Sequence, residues 1–96
     1  MSYYVIYRND EHNEPSGLFV VDVGIGDAVL WDHRAGEWTY NPDLVVRFLD
    51  DYRNADRYRN VSRAAAEAVA PTVTGSGELP DESSIRAMFV GRADDR

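Results

Sequence analysis

The sequence of 96 residues contains no cysteine, no lysine and no long apolar run. The absence of cysteine excludes disulfides, thiolate nucleophiles and thiolate zinc sites, and it is typical of cytosolic proteins. A membrane-spanning helix needs about 20 consecutive apolar residues, and a secretory signal begins with a basic and then an apolar segment. Neither pattern is present, so we expect a soluble, cytoplasmic protein without a membrane partner.

The charge of the chain is strongly acidic. Ten arginines stand against seventeen acidic residues, which gives a formal net charge of −7. The phosphates of nucleic acid would be repelled by such a surface before contacts formed, so general nucleic-acid binding is not expected. The same charge would steer the chain towards a basic protein partner.

The length of 96 residues allows one domain, in which folding buries about 60 to 65% of the surface of the unfolded chain. A single hydrophobic core can therefore form without disulfides or structural metals. We expect one α+β domain over residues 1–90, followed by a frayed polar tail over residues 91–96.

Strand-like segments come first along the chain. Residues 3–7 are aromatic and β-branched. Residues 18–23 are almost continuously apolar, which is typical of a central strand covered on both faces or of a strand with one heavily buried face. Shorter segments at 28–32 and 37–41 follow, separated by glycine-containing turns. The pattern predicts an N-terminal antiparallel meander of three to four strands over residues 3–41.

Helical patterns follow the strands. Asn41 is a suitable helix cap before Pro42, and Leu44, Phe48 and Tyr52 recur every four residues as an apolar stripe. Further helices are expected over residues 63–70, with Ser62 as the cap and Pro71 as the end, and over residues 81–90, after a flexible linker at 72–77. Two to three C-terminal helices, in the ranges 42–70 and 81–90, should therefore cover the meander.

The stretch LWDHRAGEWTY at residues 30–40 has two interpretations. Asp32 suits the first position of a tight turn and Gly36 suits its left-handed position, which would pair Trp31 with Trp38 across the two strands. His33 would then lie at the exposed tip of the turn. The alternative is an acid–base or metal cluster made of Asp32, His33 and Glu37. The turn is favoured, because Asp32 and Gly36 already have structural roles in it.

The chain resembles a group of small bacterial proteins. In the order of its strands, in the paired Trp31 and Trp38 and in the alanine-rich segment at 64–70, it is similar to small uncharacterised actinobacterial α+β proteins. Its use of arginine in place of lysine is the composition of a GC-rich bacterial genome. The resemblance covers most of the chain, includes no specific motif and implies no catalytic residue.

Searches for chemical motifs return weak signals. Gly24 and Gly26 form a Gly-x-Gly pair that lacks the rest of a dinucleotide or phosphate-binding loop. Residues 10–14 carry several oxygen and nitrogen ligands, but adjacent residues rarely converge on one ion. Ser76 lacks the strand that precedes a nucleophile elbow. We therefore predict no catalytic residue, no metal and no cofactor.

Arginine and tyrosine are concentrated in residues 47–63. This window has a charge of +2, and the remainder of the chain has a charge of −9. The combination is typical of protein interface hot spots and of platforms for single-stranded nucleic acid. The alternative is that these arginines pair with the chain's own acids. The interface candidates in this window are Arg53, Arg57, Tyr58, Arg59 and Arg63.

A second set of interface candidates lies in the last predicted helix. Ile85, Met88 and Phe89 form a one-sided apolar patch behind the linker at 72–77. An apolar patch left exposed is an association site, so it must be covered either by the core of the same chain or by a second copy. The patch favours homodimerisation through this helix.

The features combine into a functional hypothesis. We expect a small acidic, non-catalytic protein-interaction module, such as an immunity protein, an antitoxin-like protein or a regulatory subunit, that binds a protein partner or itself. One alternative is a small enzyme that uses His12 or His33 with a carboxylate. A further alternative is contact with single-stranded nucleic acid through residues 47–63.

Overall fold

The computed structural model describes residues 1–8, 14–75 and 77–94. Within these residues it contains one five-stranded antiparallel sheet and three α-helices, which confirms the predicted α+β fold. The strands are β1 (Ser2–Tyr7), β2 (Pro15–Asp22), β3 (Asp27–Asp32), β4 (Glu37–Tyr40) and β5 (Tyr58–Val61). The helices are α1 (Pro42–Asp50), α2 (Arg63–Thr74) and α3 (Glu82–Asp94), with a short 3₁₀ helix at Tyr52–Arg57.

The order of strands across the sheet is β4-β3-β2-β1-β5. The first four strands form the predicted meander, and β5 returns after α1 to pair with the free edge of β1. In this register Tyr3 lies opposite both Val20 and Val61. Residues 58–61 therefore form a fifth strand, which is one of the two edges of the sheet.

Helices cover both faces of the sheet. On the face of the sheet that α2 and α3 cover, four side chains are completely or almost completely buried: Val5, Leu18, Val20 and Val29. The α1 side buries a smaller cluster around Phe19. Because β2 is central and covered on both faces, its almost continuous apolar sequence is explained, as predicted.

Helix α1 begins as its sequence predicts and ends earlier than its apolar stripe. The Asn41 side chain accepts a hydrogen bond from the Leu44 amide at 3.1 Å, and Val45 is buried against the sheet. Asp51 has an extended backbone conformation that stops the helix. Tyr52 therefore leaves the predicted stripe and is 86% exposed.

Helix α2 does not end at Pro71, contrary to the prediction. Its cap is Ser62, as expected, but the helix runs on to Thr74. A proline this close to the end removes one helical hydrogen bond, and the last turn is closed by other groups. The Gly75 amide donates to the Pro71 carbonyl at 3.0 Å, with Gly75 at a φ of 90°, and the Thr74 hydroxyl donates to the Ala70 carbonyl at 2.8 Å.

The predicted linker at 72–77 is consequently shorter than its composition indicates. Val73 belongs to α2 and is buried in the core. Asp81 caps α3 by accepting a hydrogen bond from the Ser84 amide at 2.8 Å. The helix continues through Asp94, so residues 91–94 are helical where a frayed tail was expected, and residues 95–96 and Ser76 lie outside the described ranges.

Candidate functional site

The structure confirms that residues 30–40 form a turn between paired tryptophans. Trp31 lies directly opposite Trp38, with ring centroids 5.6 Å apart and ring planes at 70°. One carboxylate oxygen of Asp32 accepts hydrogen bonds from the amides of Arg34 and Ala35, at 2.9 and 3.2 Å. Gly36 has a φ of 67° and donates to the Asp32 carbonyl at 2.8 Å.

His33 has a structural contact in this turn. Its Nε2 donates to the carbonyl oxygen of Ser16 at 2.7 Å, so the exposed ring reaches from the tip of the turn to the start of β2. Asp32 is already engaged with the backbone of the turn. The arrangement therefore provides no acid–base pair of the kind that the enzyme hypothesis needs at His33, and His12 lies outside the described residues.

Arg53 and Arg63 serve the fold of the chain itself. The guanidinium of Arg53 makes two hydrogen bonds to the Asp51 carboxylate, at 3.0 and 2.8 Å. This side-chain contact, together with the Arg53 amide, lowers the pKa of Asp51 to about 2. Arg63 donates to the Tyr3 hydroxyl at 3.0 Å and to the Pro80 carbonyl at 2.9 Å. The hydrogen bond to Tyr3 is the main cause that raises the pKa of Arg63.

The other three candidates of the arginine-rich window divide into packed and exposed residues. The Tyr58 ring lies 5.9 Å from the Tyr4 ring and 5.6 Å from the Phe48 ring, so it belongs to an aromatic cluster under α1. Arg57 and Arg59 are exposed, and no acidic side chain in the described parts of the chain lies within 4.0 Å of either guanidinium. Of the five candidates, Arg57 and Arg59 are therefore the arginines without an acidic partner in the described ranges.

The apolar patch of α3 lies in the core of the same chain. Ile85 is fully buried and Phe89 is 3% exposed, while Met88 packs partly buried against the same cluster. The Phe89 ring contacts the Tyr40 ring, with centroids 6.2 Å apart. Because two of the three side chains are covered within the chain, the reason for a dimer through α3 is removed.

A different surface emerges at the β2–β3 turn, which uses the same chemistry as the β3–β4 turn. Asp22 accepts hydrogen bonds from the amides of Gly24 and Gly26, at 3.1 Å through its side chain and 2.8 Å through its carbonyl. Gly26 has a φ of 74°. The side chains at the tip differ, however, because Val23 is 73% exposed and Ile25 is 63% exposed.

Two hollows flank Ile25 at this turn. One has a volume of about 590 Å³ and lies between the turn and α1, where Val46 is 46% exposed. The other has a volume of about 240 Å³ and lies between the turn and α3, where Val90 is 60% exposed. Ile25 and Asp27 line both hollows. We call this region the turn surface, defined by Val23, Ile25, Asp27, Val46 and Val90.

Charged groups surround the apolar residues of the turn surface. Asp27 accepts a hydrogen bond of 2.5 Å from the Tyr40 hydroxyl. Arg86 lies 3.7 Å from the Asp22 carboxylate. Arg47 donates to the backbone carbonyl of Asp43 at 3.4 Å. An apolar centre with a charged rim is the arrangement found in protein interfaces.

The turn surface was not predicted from the sequence, although the sequence contains a signal for it. Turns of this kind normally carry polar residues at the tip, because nothing there removes an apolar side chain from water. Val23 and Ile25 depart from that pattern. The conformation of the turn depends on the glycines beside them and does not require an apolar side chain.

The described parts of the chain show neither a metal cluster nor a membrane span. No three side chains among the described histidine, aspartate and glutamate residues converge where they could hold a metal ion. Within the same ranges, no helix is long and apolar enough to cross a bilayer. Comparison with family models, curated proteins and solved structures returned no match.

Proposed function

We propose that the chain is a small acidic, non-catalytic protein-interaction module and that the turn surface binds its protein partner. The observation that carries this proposal is the 63% exposure of Ile25 at the tip of a tight turn. An apolar side chain there contributes little to folding, since it stays in water. In a complex, the same side chain would be a central apolar contact surrounded by charged groups. Central contacts of this kind contribute most of the binding free energy of protein interfaces.

The rigidity of the turn supports the proposal. The side chain and the carbonyl of Asp22 both hold the turn through its amides, and Gly26 supplies the left-handed conformation. A side chain displayed on such a turn loses little conformational freedom when it binds. Ile25 can therefore contact a partner without a costly rearrangement of the turn.

The charge of the chain points to the class of partner. With a net charge of −7, the chain would attract basic proteins and approach them rapidly at low salt. Immunity proteins, antitoxin-like proteins and regulatory subunits that neutralise a basic protein share this requirement. We place the protein in the cytoplasm as part of the same proposal, on the basis of its lack of cysteine.

The proposal is tested by affinity capture from the cells that produce the protein, with three baits. These are the natural chain, Ile25→Asp and a matched control, Tyr52→Asp, which replaces an exposed side chain of the arginine-rich window with the same charged group. We expect one protein to be retained by the natural chain and by the control and to be lost from Ile25→Asp.

Titration of the purified captured protein then gives the affinities. Loss of a central anchor should weaken binding by about thirtyfold or more. Retention by Ile25→Asp, or selective loss from Tyr52→Asp, contradicts the proposal. Circular dichroism of all three chains verifies that they are folded.

A further inference from the structure

We infer that the partner inserts one apolar and one cationic side chain into the two hollows on either side of Ile25. This inference rests on the proposed function and specifies the chemistry of the partner at the turn surface. The two hollows share Ile25 and Asp27, so these two residues lie where a ligand segment that occupies both hollows would cross.

The hollow beside α3 fits an apolar side chain. Its lining includes Ile25, Phe89 and Val90. Its volume of about 240 Å³ is several times the roughly 30 Å³ of one water molecule, which leaves room for a branched or aromatic side chain. Arg86 also lines this hollow, but its charge is partly offset by Asp22 at 3.7 Å. An apolar group would displace water from a surface that is mainly apolar.

The hollow beside α1 fits a cationic side chain. Asp27 and Asp43 both line it, and neither carboxylate has an arginine of the described residues within 4.0 Å. Arg47 lines it too, although its one hydrogen bond here goes to the backbone of Asp43. The fixed charges of the hollow thus sum to −1. An anionic group would meet two carboxylates, whereas a lysine or arginine would meet complementary charge.

A second copy of the chain fits this surface less well than a basic partner. Two copies would each bring a net charge of −7 to the contact, and like charge disfavours their association. A basic segment gains from the same field. Charge complementarity therefore selects a basic protein segment as the occupant.

The experiment uses three terminally blocked synthetic peptides, Phe-Gly-Arg, Phe-Gly-Gln and Phe-Gly-Glu, titrated into the full-length protein. Chemical shifts of the backbone amides report both the site and the affinity. We expect shifts at Ile25, Asp27, Asp43 and Val90, and binding of the arginine peptide about threefold to tenfold tighter than that of the glutamine peptide. The glutamate peptide should bind most weakly.

Two variants assign the hollows separately. Asp43→Asn should bring the affinities of the arginine and glutamine peptides close together, because it removes charge without removing volume. Val90→Ser should weaken all three peptides by a similar factor, since it affects the apolar hollow. Both positions are exposed, so neither change should disturb folding.

Several outcomes overturn the inference. These are the absence of peptide-induced shifts at the turn surface, a glutamate peptide that binds as well as the arginine peptide, and an unchanged preference in Asp43→Asn. Concentration-dependent shifts of Ile25 and Val90 in the protein alone would show that a second copy occupies the surface instead. The capture comparison with Ile25→Asp decides the proposed function independently of these results.

Discussion

Arg63 and Pro80 are joined by a hydrogen bond of 2.9 Å from the guanidinium to the carbonyl oxygen. The same guanidinium donates to the Tyr3 hydroxyl at 3.0 Å and lies 5.5 Å from the centre of the Tyr3 ring. One side chain therefore ties together β1, the first turn of α2 and the segment that leads into α3. Its position in an arginine-rich window suggested an interface, but its contacts are internal.

Replacement of Arg63 should lower the stability of the fold. Arg63→Ala removes both hydrogen bonds of a side chain that is 28% exposed, and we expect a loss of about 2 kcal/mol in the free energy of unfolding. Arg59→Ala, at an exposed site on β5, is the matched control and should change stability by less than about 0.5 kcal/mol. Urea denaturation measures both. Equal stability of the two variants would show that the contacts of Arg63 do not stabilise the fold.

The β3–β4 turn should depend on the backbone conformation of Gly36. Gly36→Val should cost about 1 to 2 kcal/mol, because a β-branched residue resists a positive φ, and nothing in the structure crowds this position. Gly24→Ala is the control, since Gly24 has no positive φ and a Cβ there would make an ordinary contact with Asp22. Thermal melts that rank Gly24→Ala as the more harmful change would contradict the assignment.

The contact of His33 with Ser16 should contribute little. The ring is exposed and makes one hydrogen bond to a carbonyl. Water could donate a hydrogen bond to that carbonyl equally well. His33→Ala should therefore lower stability by less than about 0.5 kcal/mol. A larger loss in thermal melts would mean that the tip of the turn anchors the start of β2.

Removal of α3 should abolish cooperative unfolding. Truncation after Gly75 deletes Ile85 and Phe89, which fill the core over β3 and β4, and deletion of a single such residue already costs about 2 to 5 kcal/mol. Marginal domains have only about 5 to 15 kcal/mol in total. We expect the truncated chain to show no cooperative transition on heating. A folded monomer of 75 residues would mean that α3 is dispensable to the core.

Asp51 should take up its proton at a lower pH than an unperturbed aspartate does. Its pKa is lowered from 3.8 to about 2, mainly by the Arg53 side chain and then by the Arg53 amide. Because the folded pKa is the lower one, this contact stabilises the fold above pH 3.8 and is lost as the pH falls towards 2. In an NMR titration, Arg53→Ala should raise the pKa of Asp51 while leaving it below 3.8, since the amide remains. Arg57→Ala should leave it unchanged.

The parts of the fold predicted from sequence are those governed by local chemistry. The turn at Asp32 and Gly36, the caps at Asn41 and Ser62 and the buried strand β2 depend on neighbouring residues, so the sequence pattern sufficed. The continuation of α2 past Pro71 depends on a compensating glycine cap. The proline alone indicates the end of a helix, and only the glycine that follows it allows one more turn.

The parts that were missed depend on contacts between distant segments. Arg63 reaches Tyr3 and Pro80, which lie 60 and 17 residues away. No pattern in the arginine-rich window identifies such partners. The turn surface likewise joins the β2–β3 turn with α1 and α3, and only folding brings Ile25, Val46 and Val90 to one region.

Hydrogen–deuterium exchange of the chain with and without its captured protein tests the proposed function most directly. We expect binding to slow exchange at the amides of residues 23–27 and 43–47, which belong to the β2–β3 turn and to α1. Exchange at residues 57–61, in the arginine-rich window, should stay unchanged. Protection confined to residues 57–61, with none at the turn, would contradict the assignment of the turn surface as the binding site.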